Sequence, residues 1–134
     1  MITVTIPIYH SIGTKNTALS MNWYRNAHFF TSNKVKQELH QIIASQLQYC
    51  SLPTGLYQVE YKLYYKNPSS DLSNFCSLAS KWFLDTLQSC NLINNDTVTH
   101  VVREVYEVAG RSKDNPRIEA TISLFKGAQL ASDN

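Results

Sequence analysis

The chain has 134 residues, enough for one domain with a modest core and too few for two. Hydrophobic residues at 43% exclude a disordered chain, no apolar run reaches membrane-span length, and the opening MITVTIPIYH lacks a charged leader, so a soluble intracellular protein is expected. A net charge of +2 neither demands nor excludes a nucleic-acid partner, but the charges are segregated: residues 1–70 carry six Lys and Arg against Glu38 and Glu60, whereas residues 71–134 carry six against eight acids.

Residues 2–9 alternate Ile2, Val4, Ile6 and Ile8 with Thr3, Thr5, Pro7 and Tyr9, the period of a half-buried strand, and Pro7 marks that strand as an edge. Residues 10–30 show no sustained period and read as a loop with one short extended piece. Thr31 or Ser32 then offers a helix N-cap, and Val35, Leu39, Ile42, Ile43 and Leu47 recur at helical spacing until Ser51, Pro53 and Gly55 stop the pattern. The clearest strand is 57–66, where Tyr57, Val59, Tyr61, Leu63 and Tyr65 alternate with polar neighbours and Tyr64. A turn at Asn67, Pro68, Ser69 and Ser70 leads into a second helix. Its apolar face is Phe75, Leu78, Ala79, Trp82, Phe83, Leu87 and Cys90, and its opposite stripe is Asn74, Ser77, Lys81, Asp85 and Gln88. After a polar turn over 91–96, strands are expected over 98–108 and 117–125, joined by a loop over 110–116 that carries Arg111 and Lys113.

This order predicts an α/β (α+β) domain spanning 1–134, a small mixed β-sheet with two helices packed on it. Cys50, Cys76 and Cys90 are too few and too widely spaced for a disulfide framework or paired zinc ligands, and read as reduced, mostly buried thiols. The four histidines are scattered, and the sequence holds neither a Gly-rich phosphate loop nor a nucleophile elbow.

What remains is a pair of carboxylates at element ends. Asp71 closes the turn after the strand over 57–66, and Asp96 closes the turn before the strand over 98–108. If those strands are neighbours, the two acids converge at one end of the sheet, and a hard divalent cation needs only one or two carboxylates plus water and phosphate oxygens. Each acid also has a plain local reading: Asp71 caps the helix it precedes, and Asp96 belongs to the turn Asn94, Asn95, Asp96.

Three segments together carry a family likeness: Lys66 to Asn74 (KNPSSDLSN), Lys81 to Leu87 (KWFLDTL) and Asn91 to Asp96 (NLINND). Their order, spacing and flanking strands resemble the RusA family of Holliday junction resolvases, over roughly residues 57–125, with a further likeness to phage-type members in Lys113 to Glu119. The family pattern is a basic turn, D-x-D-N or D-x-S-N, a helix with Lys four residues before Asp, and a G-h-h-x-D-D turn entering a strand. Two positions depart from it: Ser73 stands where many members carry Asp, and Asn95 replaces the first acid of the D-D turn.

The resemblance implies a RusA-like fold and a homodimeric, Mg²⁺-dependent endonuclease, with Mn²⁺ as a substitute metal, that nicks opposed strands of a four-way DNA junction in recombination and repair. It places Asp71, Lys81 and Asp96 in the catalytic role, and Asp71, Asp96 and Asp85 on the metal side. Asp71 and Asp85 are 14 positions apart, about 21 Å on one helix, so they do not share an ion, and Asp85 is expected to pair with Lys81 or support the dimer. Arg25, Lys34 and Lys66 are expected at DNA phosphates. The implied setting is the cytoplasm of a bacterial cell or phage-infected host, without a membrane role. The alternative implied by Ser73 and Asn95 is a branched-DNA-binding protein of the same fold with impaired cleavage.

Overall fold

The computed structural model describes residues 1–127 and 131, so the part of the 1–134 expectation that concerns residues 128–130 and 132–134 lies outside the described residues. Among the described residues six strands and three helices follow one another as β1 (Ile2–Pro7), β2 (Tyr9–Ile12), β3 (Lys15–Ala18), α1 (Met21–Asn26), α2 (Phe29–Gln46), β4 (Tyr57–Tyr65), α3 (Leu72–Ser89), β5 (Val101–Arg111) and β6 (Arg117–Leu124). Four strands form one mixed sheet in the order β1-β6-β4-β5, and β2 pairs with β3 as a separate hairpin. β6 runs antiparallel to both β1 and β4, whereas β5 runs parallel to β4. The chain is thus a small α+β fold, as its patterning predicts.

Period-two alternation decides which face of the sheet is dry. Ile2, Val4 and Ile6 of β1, Tyr57, Val59, Tyr61 and Leu63 of β4, and Ile118, Ala120 and Ile122 of β6 are all buried. Thr3, Thr5, Glu60 and Lys62 are exposed, with Thr3 and Thr121 hydroxyls 2.9 Å apart across the outer face. Leu39 and Ile43 of α2 and Leu78, Phe83 and Leu87 of α3 complete the core, each worth about 2 kcal/mol relative to exposure. α3 lies so deep that ten of its side chains are buried, leaving only a narrow stripe that includes Lys81 and Gln88 in water.

The two sheet edges differ. Pro7 closes β1, the expected edge strand, and Gln46 of α2 adds a strand-like clamp: its side-chain oxygen accepts from Thr5 N at 2.8 Å and its amide nitrogen donates to Thr5 O at 2.8 Å. At the other edge β5, eleven residues long, hydrogen-bonds to β4 on one side only, and among the described residues nothing caps its outer side.

Local chemistry moves several boundaries away from the sequence reading. The stretch expected as loop, 10–30, contains the β2–β3 hairpin, turning through Gly13 at φ +63°, and the six-residue α1, which starts because Ser20 Oγ accepts from Trp23 N at 3.2 Å. α2 begins at Phe29 rather than after Thr31 because His28 is the cap, its Nδ1 accepting from Phe30 N at 3.3 Å. β5 begins at Val101, since Asn95 Oδ1 accepts from Thr97 N and the N–H groups of His100 and Val101 both donate to Thr97 O, so a turn claims the β-branched residues 97–99. The same strand runs on through Gly110 and Arg111, expected as loop, which pair with Tyr64 and Tyr65 after a register shift.

A polar cluster closes the core beside β5. Glu104 Oε2 accepts from Ser80 Oγ at 2.6 Å and from Tyr61 Oη at 2.8 Å, and the Tyr61 ring meets Phe83 and Tyr106 edge-on. Burial, then the Glu104 charge, holds the Tyr61 phenol well above its ordinary range, and burial pushes the Cys76 thiol up to about 12. Both groups stay protonated in the fold while the unfolded chain releases its protons near pH 9 for Cys and 10 for Tyr. Stability is therefore complete below about pH 9 and falls as pH rises toward the folded-state values. Melting temperatures recorded from pH 7 to 11 are expected to be flat and then to drop, with the onset moved upward in Cys76→Ala; a profile identical to the parent protein's would refute the linkage.

Candidate nucleic-acid interface

Both β4 and β5 end at the same side of the sheet, where Tyr65 pairs with Arg111. From there the chain turns through Asn67, whose Oδ1 accepts from Ser69 N and whose carbonyl accepts from Ser70 N, and reaches Asp71, the N-cap of α3. The carboxyl ends of two parallel strands and the amino end of an 18-residue helix thus meet, an arrangement whose dipoles and free N–H groups favour anions.

The side chains gathered there are cationic. Tyr9, Lys66, Asn67, Arg111 and Lys113 line one open cleft of about 510 Å³. Arg111 Nε donates to Lys66 O at 3.2 Å, which fixes its base, and Lys66 Nζ lies 5.3 Å from the centre of the Tyr9 ring. Tyr9 also meets Phe75 in the first turn of α3 at 6.5 Å, so one ring joins the cleft to the helix. On β6, at the same end of the sheet, Arg117 lies over the Tyr64 ring at 4.0 Å and pairs with Glu119, Nη2 to Oε1 3.5 Å. A larger concavity of about 620 Å³ sits on the outer sheet face, but its charges are Glu60 against Lys62 and Lys126.

Asp71 is exposed beside this cleft and performs its local role: its Oδ1 accepts from Asn74 N at 3.3 Å and Ser73 Oγ at 3.1 Å. Ser73 thus serves the cap. Asn95 likewise serves the turn that Asp96 occupies, with Asp96 exposed.

The expected convergence of Asp71 and Asp96 does not occur within one chain. β4 and β5 are neighbours, as that expectation required, but they run parallel, so the exit of β4 and the entrance of β5 are at opposite ends. α3 spans the gap, about 27 Å along its axis. One chain therefore does not offer these two carboxylates to a common ion, and the described residues contain no group of three His, Cys, Asp or Glu side chains set to hold one.

The other expected site residues scatter similarly. Lys81 is exposed on the α3 stripe, ten positions and about 15 Å from Asp71. Asp85 pairs with Lys36 of α2, Oδ2 to Nζ 3.7 Å, and not with Lys81; both partners are more than a third exposed, so the pair adds little. Lys66 belongs to the cleft. Arg25 is exposed in the last turn of α1, and Lys34 is exposed on α2 beside Phe30. Arg111, Lys113 and Tyr9 join the cleft although no local sequence pattern marks them as site residues. The parallel pairing that brings Arg111 beside Lys66 requires a strand, helix, strand crossover, and that order was visible in the patterning. His10 is a partly buried partner of Glu38, Nε2 to Oε2 2.8 Å. Cys76 is buried, Cys50 and Cys90 are half-buried, and all three are free thiols.

No helix among the described residues is long and apolar enough to cross a membrane. Neither family models nor curated proteins match the chain.

Proposed function

We propose that the protein is a RusA-like junction endonuclease that binds branched DNA in the cytoplasm of a bacterial or phage-infected cell and acts as a two-fold dimer. The observation that carries this reading is the cationic cleft of Lys66, Arg111 and Lys113 at the carboxyl ends of the parallel strands, opening beside Asp71 and the amino end of α3. Such a cleft suits a phosphodiester backbone, which rewards clustered Lys and Arg without asking for base contacts.

A dimer through the uncovered β5 edge is the arrangement in which Asp71 and Asp96 would meet. Two β5 edges meeting antiparallel about a two-fold axis extend the sheet and set the entrance of one β5, next to Asp96, beside the exit of the other, next to Lys66, Arg111 and Asp71. Asp71 of one protomer and Asp96 of the partner subunit are then the residues that would hold a Mg²⁺ or Mn²⁺ ion, which when bound supplies Lewis-acid activation of water and phosphate. The cleft cations position and neutralise the scissile strand, and Lys81, midway along α3, serves as a backbone contact.

A second reading, branched-DNA binding with impaired cleavage, is favoured by the engagement of Asp71 Oδ1 in the helix cap and by Ser73 and Asn95 in place of acids. One experiment separates the two. With a synthetic four-way junction at low salt, the proposal expects a gel shift, and paired nicks on adding Mg²⁺ or Mn²⁺; binding without nicks selects the second reading. The double variant Lys66→Glu, Lys113→Glu is expected to weaken binding at least tenfold and to lower the log–log salt slope by about 2. Unchanged affinity in that variant would remove the cleft from the DNA path and with it both readings.

A further inference from the structure

Phe29 and Phe30 open α2 with rings that are 71% and 74% exposed, although a helix of this length has a buried face available to apolar residues. The rings pack on each other and on the cap instead of on the core. Phe30 stacks on His28 with centroids 5.5 Å apart and planes at 25°, and Phe29 meets Phe30 edge-on at 5.6 Å. Beside them, Phe30, Lys34, Glu38 and the hairpin residues Ile12 and Gly13 line a pocket of about 280 Å³, with the Glu38 carboxylate engaged by His10 Nε2 at 2.8 Å. Lys34 lies one turn beyond Phe30, and Lys15 pairs with Ile12 across the hairpin.

We infer that this aromatic ledge is a stacking platform for an unpaired nucleotide, with Lys34 and Lys15 taking the adjoining phosphates. Charge and continuity select that occupant. A flat apolar ring flanked by cations matches the two halves of a nucleotide, a base with a π-face and an anionic phosphate, and such stacking accepts any base. β2 links the ledge to the cationic cleft: Tyr9 at its start faces Lys66, and Ile12 at its end faces the ledge pocket. Three residue steps of strand span about 10 Å, so a strand leaving the cleft reaches the ledge within a few nucleotides. The inference deepens the DNA reading above and rests on it only for the identity of the cleft's ligand.

The test uses the full chain, a single-stranded oligonucleotide and a blunt duplex of the same base composition. Phe29→Ala, Phe30→Ala is expected to weaken single-strand binding about tenfold or more, to leave duplex binding within twofold of the parent protein, and to keep its melting temperature, with Phe30→Trp restoring the loss. Equal losses on both DNAs, no loss on either, or a changed oligomeric state with unchanged DNA binding would overturn it, the last by making the ledge a contact between copies. Failure of the four-way junction assay with the single-strand result intact would remove the nuclease reading and leave the ledge standing. Junction nicking with an indifferent double variant does the reverse.

Discussion

Equimolar mixing of Asp71→Asn and Asp96→Asn chains is expected to restore junction nicking that neither variant supports alone. The reasoning is combinatorial. In a dimer whose sites each take Asp71 from one subunit and Asp96 from the other, a mixed dimer concentrates both substitutions in one site and leaves the second intact. If both acids came from the same chain, every site in the mixture would be damaged. Recovery approaching a quarter of the parent protein's site activity follows, because about half of randomly assorted dimers are mixed and each has one working site. Asn is chosen because it caps helices about as well as Asp, so Asp71→Asn removes the charge without loosening α3, whereas Asp71→Ala would cost about 1 kcal/mol of stability as well. Nicking by either variant alone, or a mixture as inactive as its components, refutes the shared site.

Phe83→Ala carries the largest expected effect on stability, about 3–5 kcal/mol. Phe83 is fully buried and meets the Tyr61 ring edge-on at 6.3 Å, so truncation opens a cavity where α3 presses on β4. A loss of that size consumes much of the 5–15 kcal/mol typical of a domain, and urea titration should find the variant largely unfolded near room temperature or with a greatly reduced midpoint. Two positions away, Lys81→Ala should alter stability by no more than about 0.5 kcal/mol, since Lys81 lies on the exposed stripe. Comparable losses at both positions would mean that α3 is not seated as described.

These two residues also indicate what was legible in the sequence. The α3 stripe of Asn74, Ser77, Lys81, Asp85 and Gln88 and its apolar face follow from helical periodicity alone, as the alternation of β4 follows from period two, because burial on one side imposes both patterns. The β2–β3 hairpin and α1 are not legible in the sequence because they are held by single local contacts, a glycine at positive φ and the Ser20 cap, without a sustained hydrophobic period. The start of β5 moved for a related reason: Asn95 offers Thr97 N a side-chain oxygen, and that turn outweighs the strand preference of Val98 and Thr99. Asp85 and Lys81 stand at helical pairing distance, yet the choice of Lys36 depended on where α2 packs, which no local pattern records. The cleft was partly legible. Lys66 and the turn to Asp71 follow from local pattern, but grouping Lys66 with Arg111 and Lys113 depends on the parallel direction of β4 and β5, which adjacency of the two strands does not fix.

The depth at which α3 is buried has a consequence for how such a protein can change. Because ten of its side chains are enclosed, each inserted residue turns the following part of the helix by about 100° and swings apolar groups toward water. Only insertions or deletions near whole turns keep the same residues inward, and each such step alters the end-to-end distance by about 5 Å. The helix behaves as a ratcheted gauge: the interval between its two ends can be reset only in discrete notches.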